Sequence, residues 1–126
     1  MYFGWAFLIV AGHHELHRAS GNFIPEDAQQ HRNVAGEIQA GLEALAWCQQ
    51  QGIPTATIHY DYQGLASWVD GSWKAKTSFT QAYVDAVRSS GMSLRWEKVQ
   101  AHSGEHYNEI VDQLARDAAR TAGKAR

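Results

Sequence analysis

Apolar and polar positions along this chain change period several times, and each change marks an element. Residues 2–11 are almost wholly apolar and rich in aromatic and β-branched side chains, the pattern of a strand buried on both faces. Gly12 and His13 make a turn into a second strand at about residues 14–20, so the pair reads as a hairpin. Polar residues and Pro25 make residues 22–30 a loop. Val34, Ile38, Leu42 and Leu45 then recur at helical spacing until Gly52 stops the run, which predicts one amphipathic helix.

After Pro54, residues 55–61 form a short β-branched strand with an acid, Asp61, at its C-terminal end. Leu65, Trp68 and Val69 fit a helical turn or two, and residues 71–78 read as a loop carrying Lys74 and Lys76. A helix over residues 79–90 has Tyr83, Val84 and Val87 as apolar positions and is closed by Gly91. Residues 92–101 read as a strand and residues 107–122 as a helix, with Ile110, Val111, Leu114, Ala115 and Ala118 on one side. The order β-β-α-β-α-β-α predicts an α/β class, α+β in the sense of a mixed sheet, with disorder expected only over residues 121–126.

Size adds that 126 residues fit one domain. The sequence has no low-complexity tract, repeat or linker to divide it. The apolar opening lacks the positive residues that precede a secretory signal and is too short to span a bilayer, which leaves a buried strand. A single cysteine, Cys48, cannot form an internal disulfide and agrees with a reducing compartment, so a cytoplasmic location is expected. A net charge of -2 and a pI near 6.4 do not announce a nucleic-acid binder, so any phosphate contact must come from a local patch.

Candidate chemistry rests on acids where predicted elements meet apolar faces. Glu37 lies beside Val34 and Ile38 on the helical wheel and shares a stripe with Gly41 and Ala44, small residues that let a helix approach a sheet; a solvated Glu would sooner sit with Gln39 and Glu43. Asp61 stands at a strand's carboxyl end, where ligand sites gather, or it caps the following helix. Asp112 shares a stripe with Asn108 and Ala115, either as a site acid or as a surface acid favoured by the helix dipole. His102, ten residues earlier in a Gly-containing loop, is a site group or a strand-end surface residue. His13, Glu15 and His17 fall on one face by strand alternation with no fourth ligand, and are read as exposed.

The order of these groups is informative: Asn33-Val34-Ala35-Gly36-Glu37, then Ile58-His59-Tyr60-Asp61, then His102-Ser103-Gly104 leading to Asn108-Glu109-Ile110-Val111-Asp112. Through residues 32–37, 60–76 and 99–116 the chain resembles ribonuclease H of the type 1 class, from about residue 2 to its end. The resemblance implies hydrolysis of the RNA strand of RNA/DNA hybrids, with Mg²⁺, or Mn²⁺ in its place, as cofactor. It implies Glu37, Asp61 and Asp112 as metal ligands and His102 as a group assisting proton transfer or product release. It implies that Asn33, Gln63 and Asn108 touch the hybrid, where 2′-hydroxyls tell RNA from DNA, although from the residues alone Asn33 and Gln63 are equally caps or surface amides; Trp68, Trp73, Lys74 and Lys76 form a basic, aromatic segment suited to DNA-strand phosphates. From the residues alone, the tryptophans equally pack over a sheet edge. Tyr62 stands where family members often have Ser.

The family also has an opening strand carrying Asp-Gly-Ser, whose Asp is its first catalytic carboxylate, and this chain lacks such an opening strand. That strand would lie in the middle of a five-stranded sheet, between this chain's first strand and the one ending at Asp61. It would bury roughly four apolar side chains at about 1.5–3 kcal/mol each, comparable with the whole stability of a domain, about 5–15 kcal/mol. The expectation is a ribonuclease H cut short at its N-terminus, whose activity is impaired unless another segment or a strand-exchanged second copy fills the gap. The reading from a different class is a non-catalytic module that keeps the fold and binds nucleic acid or a protein.

Overall fold

The computed structural model of the chain describes residues 3–12, 14–23, 35–99 and 106–124, and places their side chains except those of Phe3, Phe23, His106, Asn108, Asp112 and residues 119–124. Its elements are β1 (Phe3–Ala11), β2 (His14–Phe23), α1 (Ala35–Gln50), β3 (Thr55–Tyr60), α2 (Gly64–Asp70), α3 (Ser78–Ser89), β4 (Ser93–Lys98) and α4 (His106–Lys124). The mixed α/β class is as expected. The helical turn or two around Leu65 is a helix of its own, so two helices separate β3 from β4. α4 reaches Lys124, into the tail expected to be disordered.

β1 and β2 form an antiparallel hairpin around Gly12, whose φ of 62° is the left-handed conformation such a turn needs. The register shifts between Ile9 and Val10: His17 pairs with Ile9 and Glu15 with Val10, which leaves Leu16 as the extra residue of a bulge. The bulge corrects the simple alternation, because it puts His17 and Glu15 on opposite faces. His17 is half-buried and stacks on Trp47 of α1 at a ring distance of 4.7 Å. Glu15 stays exposed and pairs with Arg18 at 2.6 Å.

β3 and β4 pair in parallel, from Thr55 opposite Ser93 to Tyr60 opposite Lys98. Alternate side chains of both are exposed, so this small sheet buries one face only. On that face lies the main core: Ile38 and Leu45 of α1, Tyr60 of β3, Leu65, Ala66 and Trp68 of α2, and Tyr83, Val84 and Val87 of α3. β1 packs on both α1 and α4, and Ala6 and Phe7 are its buried side chains.

Among the described residues, β1 pairs only with β2 and β3 only with β4. The single mixed sheet expected from the sequence is therefore two sheets of two strands, in which no strand has a described partner on its second edge. The first turn of α1 reaches both. A Cβ at Gly36 would collide with the carbonyl oxygen of Gly4, so glycine lets α1 lie directly on the start of β1. The next residue, Glu37, meets the end of β3. Among the described residues no helix is long and apolar enough to cross a membrane.

Candidate active site

Glu37 and Asp61 come together by different local routes. Glu37 sits in the first turn of α1, held down by the close fit of Gly36 on β1. Asp61 is the first residue after β3, where the chain turns into α2. One carboxylate oxygen of Glu37, Oε1, accepts the backbone N–H of Asp61 at 3.1 Å and that of Tyr62 at 3.3 Å. Asp61 is not the cap of α2: that position belongs to Gln63, whose side chain makes no capping bond and instead donates to Ser67 Oγ at 3.0 Å.

This arrangement fixes the charge state. Burial pushes the Glu37 carboxyl up to about 8, helped by its hydrogen bond to the Asp61 carboxyl and by the negative charge there, against the lowering effect of the two backbone N–H groups. At neutral pH the Glu37 carboxyl therefore keeps its proton. Two hard oxygen donors brought side by side are the donor chemistry that fits a Mg²⁺-type ion. Among the described residues, no group of three or more His, Cys, Asp or Glu is assembled that would hold an ion. Asn33 and His102 lie outside the described residues. Asn108 and Asp112 lie on the first half of α4, with their side chains outside the described ones.

Tyr62, Trp68 and Trp73 form an aromatic cluster beginning one residue past Asp61. Trp73 meets Tyr62 and Trp68 edge-on at 5.9 and 6.1 Å, and Tyr62 tilts against Trp68 at 5.8 Å. The two tryptophans differ: Trp68 is core, whereas Trp73 is 42% exposed. Lys74, Lys76 and Gln63 are exposed on the same stretch of chain. The structure thus joins an acid pair to an aromatic, cationic surface segment, with Tyr62 common to both. A residue read from the sequence only as an apolar helix position also belongs here: the Tyr83 hydroxyl donates to the Leu65 carbonyl at 2.7 Å. Its signal was present, because a buried Tyr must find a partner for its O–H.

The sequence of the chain matches the RNase H family model over residues 4–120. It is a member of the RNase H family. The chain is 31% identical over 131 residues to a ribonuclease H of Neorickettsia sennetsu, covering 92% of this chain and 82% of that protein. It is 39% identical over 126 residues to a ribonuclease H of Pseudoalteromonas translucida, covering 92% and 79%. The crystal structure of RNase H1 from Halobacterium salinarum shares the fold, with a TM-score of 0.74 over 93% of this chain and 92% of that one at 17% identity. The holo form of a ribonuclease H domain from D. hafniense is 38% identical, with a TM-score of 0.53 over 92% and 78%. This RNase H is therefore a ribonuclease H-type enzyme, of a family that hydrolyses nucleic acid, binds RNA/DNA hybrids and generally uses divalent metal ions.

Proposed function

We propose that this chain cleaves the RNA strand of RNA/DNA hybrids endonucleolytically, with Mg²⁺, or Mn²⁺ in its place, held by Glu37, Asp61 and Asp112. The observation that carries the reading is the half-buried carboxyl pair of Glu37 and Asp61. Divalent ions bound among such carboxylates activate a water and stabilise the leaving oxygen. The side chains do the remainder. Glu37 keeps the Asp61 turn in place through two N–H bonds, with its carboxyl against that of Asp61. His102 assists proton transfer or product release. Gln63, with Asn33 and Asn108, contacts the minor groove, and Trp73 with Lys74 and Lys76 grips the DNA strand through its phosphates and an exposed ring. The aromatic and cationic segment supplies the local patch that a net charge of -2 otherwise withholds. We place the enzyme in the cytoplasm, as its lone thiol Cys48 suits a reducing compartment.

The test is cleavage of a labelled hybrid with and without Mg²⁺, in the parent and in Asp61→Asn and Asp112→Asn. Metal-dependent RNA cleavage that each substitution removes supports the reading. A chain that leaves hybrids intact under every metal condition, also when joined to an Asp-Gly-Ser strand, overturns it.

The division into two small sheets favours a second proposal about the productive form. The second edges of β1 and β3, which have no described partner, would accept one more strand, and an acid on it would complete the ligand set. We propose that it comes from a segment outside residues 1–126 or from a second copy by strand exchange, and that activity is impaired without it. The non-catalytic module is the competing outcome: it binds hybrid with an affinity that Asp61→Asn leaves unaltered and turns over nothing.

A further inference from the structure

Tyr83 is 1% exposed in the core between three helices. Its ring edge lies 3.6 Å from where a Cβ on Gly41 would stand, on the same stripe of α1 as Glu37 and one turn later. Its hydroxyl donates to the Leu65 carbonyl in the first turn of α2, at 2.7 Å. Burial, with the charge of Glu37 and then Tyr60 nearby, pushes the phenol far above its ordinary value, so the hydroxyl remains a donor at every working pH.

From Leu65 the bonding continues back to the acids. The N–H of Leu65 donates to the Tyr62 carbonyl at 3.1 Å, and the N–H of Tyr62 donates to Glu37 Oε1 at 3.3 Å. The turn carrying Asp61 is thus held at both ends, by Glu37 at its start and by Tyr83 at its finish. The helix that supplies Glu37 is the helix against which the Tyr83 ring packs. A second tether, from the Arg88 guanidinium to the Val69 carbonyl at 2.7 Å, fixes the far end of α2 and touches neither acid.

We propose that Tyr83 is a positioning residue for the Glu37–Asp61 pair, bracing α1 through its ring and the Asp61 turn through its hydroxyl. The proposal rests on the reading of that pair as the metal site. It assigns to the hydroxyl the orientation of the ligands, whereas a residue that only packed would keep its role as Phe.

Tyr83→Phe keeps the ring and deletes only the hydroxyl, and Arg88→Ala deletes the other α3–α2 tether. Amide hydrogen exchange of the whole chain, read residue by residue, decides between the roles without requiring turnover. Tyr83→Phe should accelerate exchange at Asp61 and Tyr62 roughly three- to tenfold relative to core amides of α3. It should also raise the Mg²⁺ concentration for half-saturation about tenfold, read from the shifts of the same two amides. Where hybrid is cleaved, kcat at fixed Mg²⁺ should fall with KM unchanged. Arg88→Ala should move none of these. The assignment is overturned if Tyr83→Phe leaves Asp61 and Tyr62 exchange within twofold of the parent, or speeds it by one common factor across all core amides. A parent that cuts no hybrid would sink the functional reading alone, since the exchange comparison stands without it.

Discussion

A single carboxylate oxygen of Glu37 accepts the N–H groups of both Asp61 and Tyr62, at 3.1 and 3.3 Å, so a helix side chain organises the backbone of the turn that carries its partner acid. The bond ties α1 to the end of β3 across residues far apart in sequence, and it sets the Glu37 carboxyl against the charge of its partner acid. Several measurable consequences follow from that opposition and from its surroundings.

Stability without metal should fall as pH rises. The Glu37 carboxyl titrates at about 8 in the fold against an ordinary 4.5, so its neutral form is favoured by folding. That contribution is fully present below about 4.5 and is lost as pH climbs through about 8. Glu37→Gln copies the neutral acid, with an oxygen for the two N–H groups and an amide to donate to Asp61. In EDTA at pH 8.5 it should be more stable than the parent by about 1–2 kcal/mol, after discounting for its partial exposure. Thermal melts from pH 5 to 8.5 check this; an unchanged slope in Glu37→Gln would remove Glu37 as the titrating group.

Adding Mg²⁺ should reverse the loss. The ion must displace the Glu37 proton, so its stabilising effect should be larger at pH 8 than at pH 5 and its binding should release a proton. At tenfold excess over Kd, linkage gives about 1.4 kcal/mol, or roughly 5 °C in Tm. Calorimetry in two buffers of different ionisation enthalpy reads the proton, and Asp61→Asn should abolish both signals.

Cleavage should depend on the acids and not merely on the fold. Asp61→Asn and Asp112→Asn should each lower hybrid cleavage by at least about 100-fold, since even loss of a residue behind a metal ligand costs 10–100-fold. Circular dichroism and melting should stay close to the parent. Full residual turnover in either variant would remove that residue from the ligand set.

Gly36→Ala tests the seat of Glu37. Alanine favours the helix by about 1 kcal/mol, but its Cβ meets the carbonyl oxygen of Gly4, backbone that has no rotamer to yield. Overpacking of this kind costs about 1–3 kcal/mol or more. The net expectation is a destabilised chain in which α1 lifts from β1, seen as a lower Tm and as faster exchange at Asp61. A gain in Tm would mean that helix and strand are not so closely apposed.

Trp73→Ala tests the aromatic rim. The exposed ring leans on Tyr62 and Trp68 and is free on one side for a base or sugar. Loss of one stacking partner, about 1–3 kcal/mol, should raise KM for hybrid by roughly 5- to 100-fold with kcat nearly unchanged. Unchanged KM would make the ring a cover for Trp68.

Sequence alone determined the element order except that α2 is a helix of its own, because period 2 and period 3.6 patterns are written locally and Gly12, Gly52 and Gly91 punctuate them. It determined the family too, through the order and spacing of Glu37, Asp61, His102 and Asp112, which survive without knowledge of where any side chain points. The structure brings Glu37 to Asp61; Asn33, His102 and the side chains of Asn108 and Asp112 lie outside the described residues. Tertiary structure decided the rest. Whether Asp61 capped a helix or faced another acid is a question of which backbone N–H groups point where, and they point at Glu37. Whether His17 was exposed turned on a bulge at Leu16, which no alternation rule registers until the strands are paired. Trp68 and Trp73 are the same residue type five positions apart, and only packing made one core and the other rim. The raised Glu37 carboxyl and the Tyr83 brace belong to the same class: charge state and orientation depend on neighbours that the chain brings together from separate elements, and a linear pattern holds the residues without the distances between them.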